Sequence, residues 1–222
     1  MGAGAGMADG FGKLGQFGFN QPVFGGVGDS TFFHAGIPPL INAVWNRSNM
    51  ALIIYDNSAT AMTGFQPHPG TGMTAMGDQG QTIPPEDICH ALGIRVEICD
   101  PFDLDKTMET LLDVMHDEAN GPRVVIMRHE CELQRARRET RPYLVRVDAE
   151  KCLGESCGCD RLCTRIFRCP GLRWNEKTGK AEIDEVTCCG CGLCVDVCPQ
   201  GAIVREELVS EEKELQEEVV GR

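Results

Sequence analysis

The sequence predicts an α/β domain with a mostly parallel sheet and helices on both faces, followed by a small α+β domain rich in cysteine. Three observations lead there. Buried-strand runs alternate with helical periods from about residue 22 to residue 127. Ten of the thirteen cysteines lie between Cys152 and Cys198. The length of 222 residues accommodates one medium domain and one small one. The expected division is 1–143, 144–205 and an acidic tail, 206–222.

The elements follow in order. Residues 1–20 read as a helix of small residues and a turn; glycines at 2, 4, 6 and 10 let another backbone or a ligand approach closely. Residues 22–27 read as a buried strand ending at Gly28-Asp29-Ser30. Residues 33–45 read as a helix, with Leu40, Ile41, Val44 and Trp45 on its apolar side. Residues 50–55 form a second strand, ending at Asp56-Asn57. Residues 58–82 carry no periodic element, and a loop of that length in a compact domain is usually functional or disordered. Residues 84–92 read as a short helix and residues 95–99 as a strand. Residues 103–119 read as an amphipathic helix with Leu104, Met108, Leu111, Leu112 and Met115 at near-helical spacing, and residues 123–127 as a buried strand. The basic stretch 133–143, with Arg135, Arg137, Arg138 and Arg141, reads as a linker. Residues 177–187 read as a turn and strand.

Composition narrows the function. The formal charge of -12 excludes nucleic acid as an expected partner. The N-terminus lacks a basic n-region and a long apolar core, so no secretory signal is expected, and no apolar run is long enough to span a bilayer. A cytoplasmic location, where thiols stay reduced, is expected; it favours metal ligation over a secreted disulfide scaffold. The chain opens in a glycine-rich segment with no strand before it, so the expectation is that it is a piece of a larger polypeptide or that a partner subunit supplies the missing elements.

Cys188, Cys191, Cys194 and Cys198 follow C-x2-C-x2-C-x3-C, closed by Pro199. That spacing wraps backbone amides around a [4Fe–4S] cluster, and its fourth cysteine reaches a second cluster. By the same crossover, Cys169 completes the cluster of Cys188, Cys191 and Cys194. The other cluster takes Cys198, Cys163, Cys152 and either Cys159 or Cys157, with Cys159 preferred. Cys189 breaks the spacing and is a spare. Two clusters are expected, with a zinc ribbon as the weaker alternative. Cys89, Cys99 and Cys131 read as buried small hydrophobes.

Gly28-Asp29-Ser30 and Asp56-Asn57 each stand at the C-terminal end of a predicted buried strand, where open α/β sheets place ligands. An Asp29 carboxylate, an Asn57 amide oxygen and the Ala59 carbonyl are hard donors suited to Mg²⁺, with diphosphate oxygens filling the remaining positions.

With these residues, GDSTFFHAGIPPLINAVWN and IIYDNSATAMTGFQPHPG resemble the thiamine-diphosphate domain of the indolepyruvate:ferredoxin oxidoreductase large subunit, and more broadly the 2-oxoacid:ferredoxin oxidoreductases. In that family a two-cluster ferredoxin domain follows, as it does here. The resemblance implies thiamine diphosphate, Mg²⁺ on Asp29, Asn57 and the Ala59 carbonyl, and diphosphate contacts from Gly28, Ser30 and the loop from Thr60 through Thr63 to Gly64. It aligns Cys163 and Cys169 with the last two cysteines of the first ferredoxin motif. Asp160 falls where the second would stand, so the Glu155-Ser156-Cys157 insertion is a departure.

The implied activity is oxidative decarboxylation of an aryl 2-oxoacid, an aryl pyruvate or arylglyoxylate, with coenzyme A taking the acyl group and ferredoxin or another acceptor taking the electrons. The family's pyrimidine-binding region and gamma-type domain are expected from other subunits. His34 and His68 are candidate proton-transfer or substrate-contacting groups, each with packing as the alternative. The rival is a non-catalytic electron-transfer or scaffold subunit of a larger redox complex; a non-oxidative thiamine enzyme would need no ferredoxin domain.

Overall fold

The structure, a computed structural model, describes residues 1–117, 120–141 and 143–208. The chain forms two compact units, Met1–Cys131 and Glu132–Arg222. After the last strand of the first unit, the N–H groups of His129 and Cys131 bond the carbonyls of Asp56 and Asn57 at 3.0 and 3.2 Å, which keeps this segment on the first unit. The division therefore falls earlier than residue 143. No helix among the described residues is long and apolar enough to cross a membrane.

The first unit begins with α1 (Ala3–Lys13) and β1 (Phe24–Gly28). A short α2 (Asp29–Thr31) runs through a π-helical stretch, Phe32–Gly36, into α3 (Ile37–Asn46). The wide turn has a cause: Pro38 and Pro39 have no N–H for the carbonyls of His34 and Ala35, four residues earlier. β2 (Ala51–Asp56), α4 (Pro85–Ala91), β3 (Arg95–Cys99), α5 (Leu104–His116) and β4 (Arg123–Arg128) follow. The strands are parallel, in the order β1-β2-β4-β3.

Both faces of this sheet are buried, as a parallel sheet requires. Leu52, Ile54, Val124 and Ile126 face one way, toward a core shared with Ala5, Ala8, Leu40, Ala43 and Cys89 of α1, α3 and α4. Ala51, Val125 and Met127 face the other way, toward Val114 of α5. Glycine sets the approach of α1: a Cβ on Gly25 would lie 2.8 Å from the Ala8 Cβ and 3.0 Å from the Gly4 carbonyl. Gly6 and Gly10 have open space where a Cβ would stand. Asp9 accepts bonds from Asn42 and, at 2.5 Å, from Ser48, and so pins α1 to the end of α3.

Two helix faces differ from expectation. In α3, Leu40 and Ala43 are buried, whereas Ile41 is 48% and Trp45 81% exposed. In α5, Thr110 and Val114 are buried, whereas Leu104, Met108 and Leu112 are exposed. The sheet takes the stripe one residue over from the most apolar one, so these faces carry unburied apolar side chains.

The second unit holds α6 (Glu132–Arg135), β5 (Tyr143–Val147), β6 (Leu172–Asn175), β7 (Lys180–Ile183), α7 (Leu193–Val197) and β8 (Ile203–Glu207). α6 and the turn after it occupy part of the expected linker, and Arg135 pairs with Glu132 and Glu139. β5 pairs antiparallel with β8, and β6 with β7. Each half runs strand, cysteine motif, helical turn, strand, the first turn being Leu162–Phe167 and the second α7. Val145, Leu172, Cys194 and Ile203 form the core, with the half-buried Cys163, Cys169, Cys188 and Cys198 packed against it. β8 includes the first two residues of the expected tail; positions 209–222 lie outside the described residues.

Candidate functional site

Gly28, the last residue of β1, stands opposite Tyr55 of β2. The residues after each strand therefore emerge side by side. Asp29 opens α2 there and is 4% exposed. Its Oδ1 accepts the Ser30 N–H at 2.7 Å, and its Oδ2 accepts the Asn57 N–H at 3.0 Å. His68 Nε2 lies 3.1 Å from the same Oδ2, at an ion-pair distance but without the alignment of a hydrogen bond. The other ring nitrogen, Nδ1, accepts the Gly70 N–H at 3.2 Å, which places the proton of a neutral ring on Nε2. Burial pushes the Asp29 carboxyl up; His68 and the two N–H groups outweigh it and hold the carboxyl below its ordinary range.

A cleft of about 530 Å³ opens here, with Gly28, Asp29, Ser30, His34, Asn57, Ala59, Thr60 and Thr63 among its walls. Asn57 Oδ1 accepts the Ala59 N–H at 3.2 Å, bending the chain after β2. Gly64 closes the turn Ala61–Thr63 with φ of 115°, a conformation that favours glycine. His34 is exposed on the cleft. His68 is 5% exposed and stacked on Phe33, with ring centroids 5.6 Å apart. A buried, ionised carboxylate with an amide and a carbonyl nearby fits a hard cation such as Mg²⁺. Among the described residues, no three His, Cys, Asp or Glu side chains form a metal-holding group; the expected Mg²⁺ set has only one member of those types.

Sequence reading missed the lock beside this cleft. Asp56 is bound at Oδ2 by Arg128 Nε at 2.7 Å, and the other nitrogens of Arg128 reach Glu86 at 3.0 and 2.7 Å. The signal lay in the register: Asp56 and Arg128 are partners at the ends of β2 and β4. The lock joins those two ends to α4.

All thirteen cysteines are free thiols. Cys89 and Cys99 are buried as expected, whereas Cys131 is only half-buried, because its segment runs along the surface beside Asn57. In the second unit, Cys152, Cys157, Cys159, Cys163 and Cys198 line one pocket. Burial pushes the Cys194 thiol up to about 12, assisted by Cys169 and Cys188. Backbone amides face the sulfurs: Arg161 and Leu162 at Cys159, Gly190 at Cys188, Leu193 at Cys191, and Ala202 at Cys198, the last at 3.3 Å. Burial pushes Cys159 up, but the Cys157 thiol and those two amides outweigh it and draw Cys159 below its ordinary value. Cys157 is raised, chiefly by its hydrogen bond with Cys159. Cys189 is lowered to about 6, first by its bond from Cys191. Trp174, on the same pocket as the first group, has a buried Nε1 with no partner. Five cysteines on one pocket, amides aimed at sulfur and an unpaired donor suit the chemistry of an iron–sulfur cluster, although no three of the described cysteines close into a metal-holding group.

Comparison with known proteins agrees. The family described as thiamine pyrophosphate enzyme, C-terminal TPP binding domain, matches residues 1–127, and the 4Fe-4S binding domain matches residues 181–204. The chain is 43% identical over 187 residues to indolepyruvate oxidoreductase subunit IorA of Pyrococcus horikoshii, covering 81% of this chain and 28% of that protein. Against the subunit IorA of Methanothermobacter marburgensis, identity is 42% over 207 residues, covering 93% and 31%. An iron-sulfur protein of Rhodospirillum rubrum is 48% identical over 54 residues, 24% of this chain and 27% of that one. The chain thus spans less than a third of the length of the IorA proteins it matches. It belongs to the thiamine pyrophosphate enzymes and matches the IorA-type subunit of the 2-oxoacid:ferredoxin oxidoreductase family, with the thiamine and 4Fe-4S domains in the order of that subunit.

Proposed function

We propose that this chain holds the diphosphate–Mg²⁺ end of thiamine diphosphate and carries electrons away through two [4Fe–4S] clusters, as part of a 2-oxoacid:ferredoxin oxidoreductase acting on an aryl 2-oxoacid. The first unit, Met1–Cys131, binds the organic cofactor, and the second, from Glu132, binds the clusters. Asp29, Asn57 and the Ala59 carbonyl hold Mg²⁺; Gly28, Ser30, Thr60, Thr63 and Gly64 contact the diphosphate. Cys152, Cys159, Cys163 and Cys198 bind one cluster, and Cys169, Cys188, Cys191 and Cys194 bind the other. The observation that carries this reading is Asp29: a buried carboxylate kept ionised at the edge of a cleft walled by most of the expected cofactor residues.

Bound thiamine diphosphate supplies the decarboxylation chemistry and the clusters supply one-electron acceptors. The chain's own residues do the rest. Asp29 presents a fixed negative charge, aimed by two backbone N–H groups. His68 holds that carboxylate in place. His34, exposed on the cleft, moves a proton or contacts the substrate. Coenzyme A takes the acyl group, and ferredoxin or another acceptor takes the electrons. Other subunits supply the pyrimidine-binding and gamma-type domains; the exposed Trp45 and Ile41 of α3 and Met7 of α1 support such docking. A cytoplasmic location, where thiols stay reduced, suits cysteines that ligate clusters.

The test is an inventory of the native complex: iron, sulfide and thiamine diphosphate per copy. About eight irons and stoichiometric thiamine diphosphate are expected. Full iron without thiamine diphosphate, despite added Mg²⁺, would replace this reading with the non-catalytic electron-transfer subunit.

A further inference from the structure

Side chains alternate along β6, so Leu172 and Trp174 share a face, and Leu172 lies in the core of the second unit. Trp174 lines the pocket of Cys152, Cys157, Cys159, Cys163 and Cys198. The guanidinium of Arg161 covers its ring, 4.0 Å from the centroid, and is itself paired with Glu155 and, at 3.8 Å, with Glu176. The indole is thereby fixed with Nε1 buried and unbonded. An indole N–H only donates, and a buried donor without an acceptor is strongly unfavourable. The pocket's cysteines offer sulfur.

We propose that Trp174 Nε1–H donates a hydrogen bond to a sulfur of the cluster held by Cys152, Cys159, Cys163 and Cys198, and so sets that cluster's reduction potential above that of the cluster held by Cys169, Cys188, Cys191 and Cys194. This rests on the cluster assignment above. Reduction adds negative charge to the cluster, and an N–H···S bond strengthens with that charge, so the donor favours the reduced form. At the second site, the hydroxyl of Tyr143 is spent on the Cys191 carbonyl at 3.1 Å. Electrons therefore rest on the first cluster.

A potentiometric titration of the purified complex followed by electron paramagnetic resonance tests this. Two reduction steps are expected, and Trp174→Phe, which keeps the ring and removes the donor, lowers only the higher one. The expected shift is about tenfold in the reduction equilibrium, about 59 mV for one electron. An unchanged higher step at full iron content overturns the proposal. If the variant loses iron, the wild-type complex with ¹⁵N-labelled tryptophan decides: hyperfine coupling of an indole nitrogen to the reduced cluster supports the bond, and its absence overturns it. Wild-type complex with a single cluster per copy overturns the cluster assignment itself, and with it this inference.

Discussion

His68 Nε2 lies 3.1 Å from Asp29 Oδ2, and both side chains are buried. The histidine comes from the long loop that carries no periodic signal, and it orients the carboxylate without reaching the cleft through its own exposure. Replacing a group that orients a metal ligand lowers metal affinity by about tenfold to a hundredfold. His68→Ala is therefore expected to weaken Mg²⁺-dependent thiamine diphosphate binding by that factor while cluster absorbance stays intact. Calorimetric titration of the complex checks it, and equal affinity would refute the role.

Asp29 also gives a pH signature. Its carboxyl is held below the ordinary 3.8, so the unfolded chain takes up the proton first as pH falls. The stability it contributes is complete above that ordinary value and is lost as pH drops through the lowered folded one. Asp29→Asn should show a weaker acid dependence in that window and a constant stability difference from the wild type above about pH 5. Urea unfolding followed from pH 6 to pH 3 distinguishes the two curves; parallel curves would contradict it.

Arg128 joins Asp56 and Glu86. Arg128 holds the Glu86 carboxyl below its ordinary value by hydrogen bonding. Arg128→Met leaves Asp56, which is 8% exposed, without its partner. The arginine is partly exposed, so the expected loss is moderate, about 2 kcal/mol. Thermal unfolding of the variant complex measures it, and a loss under about 0.5 kcal/mol would place this lock among surface ion pairs of no consequence.

The choice between Cys157 and Cys159 rests on the amides. Arg161 and Leu162 aim their N–H groups at Cys159, whose thiol is drawn down, while the Cys157 thiol is pushed up. Cys157→Ser is expected to retain full iron, and Cys159→Ser to lose about half of it. Iron and sulfide analysis reads the result directly; the reverse pattern would reassign the ligand.

Gly25 tests the packing of α1. A methyl there meets the Ala8 Cβ at 2.8 Å and the Gly4 carbonyl at 3.0 Å, neither of which is a flexible side-chain end. Gly25→Ala should destabilise the first unit by about 1–3 kcal/mol. Gly10→Ala, where a Cβ meets nothing within 4 Å, serves as the control and should be neutral or slightly stabilising.

The sequence by itself determined the fold class, the order of the parts and the family. Those signals are local: runs such as residues 50–55 and 124–127 are apolar throughout because both faces of a parallel strand are covered, and C-x2-C spacing is written in consecutive residues. Tertiary structure alone decided which helix stripe is buried, so that Val114 lies inside while Met108 does not. It also decided that Asp56 serves Arg128 and that His68 serves Asp29, and it left Trp174 with an unpaired donor. These partners lie far apart along the chain. Each contact depends on strand register and on the path of a loop, and single-residue spacing carries neither.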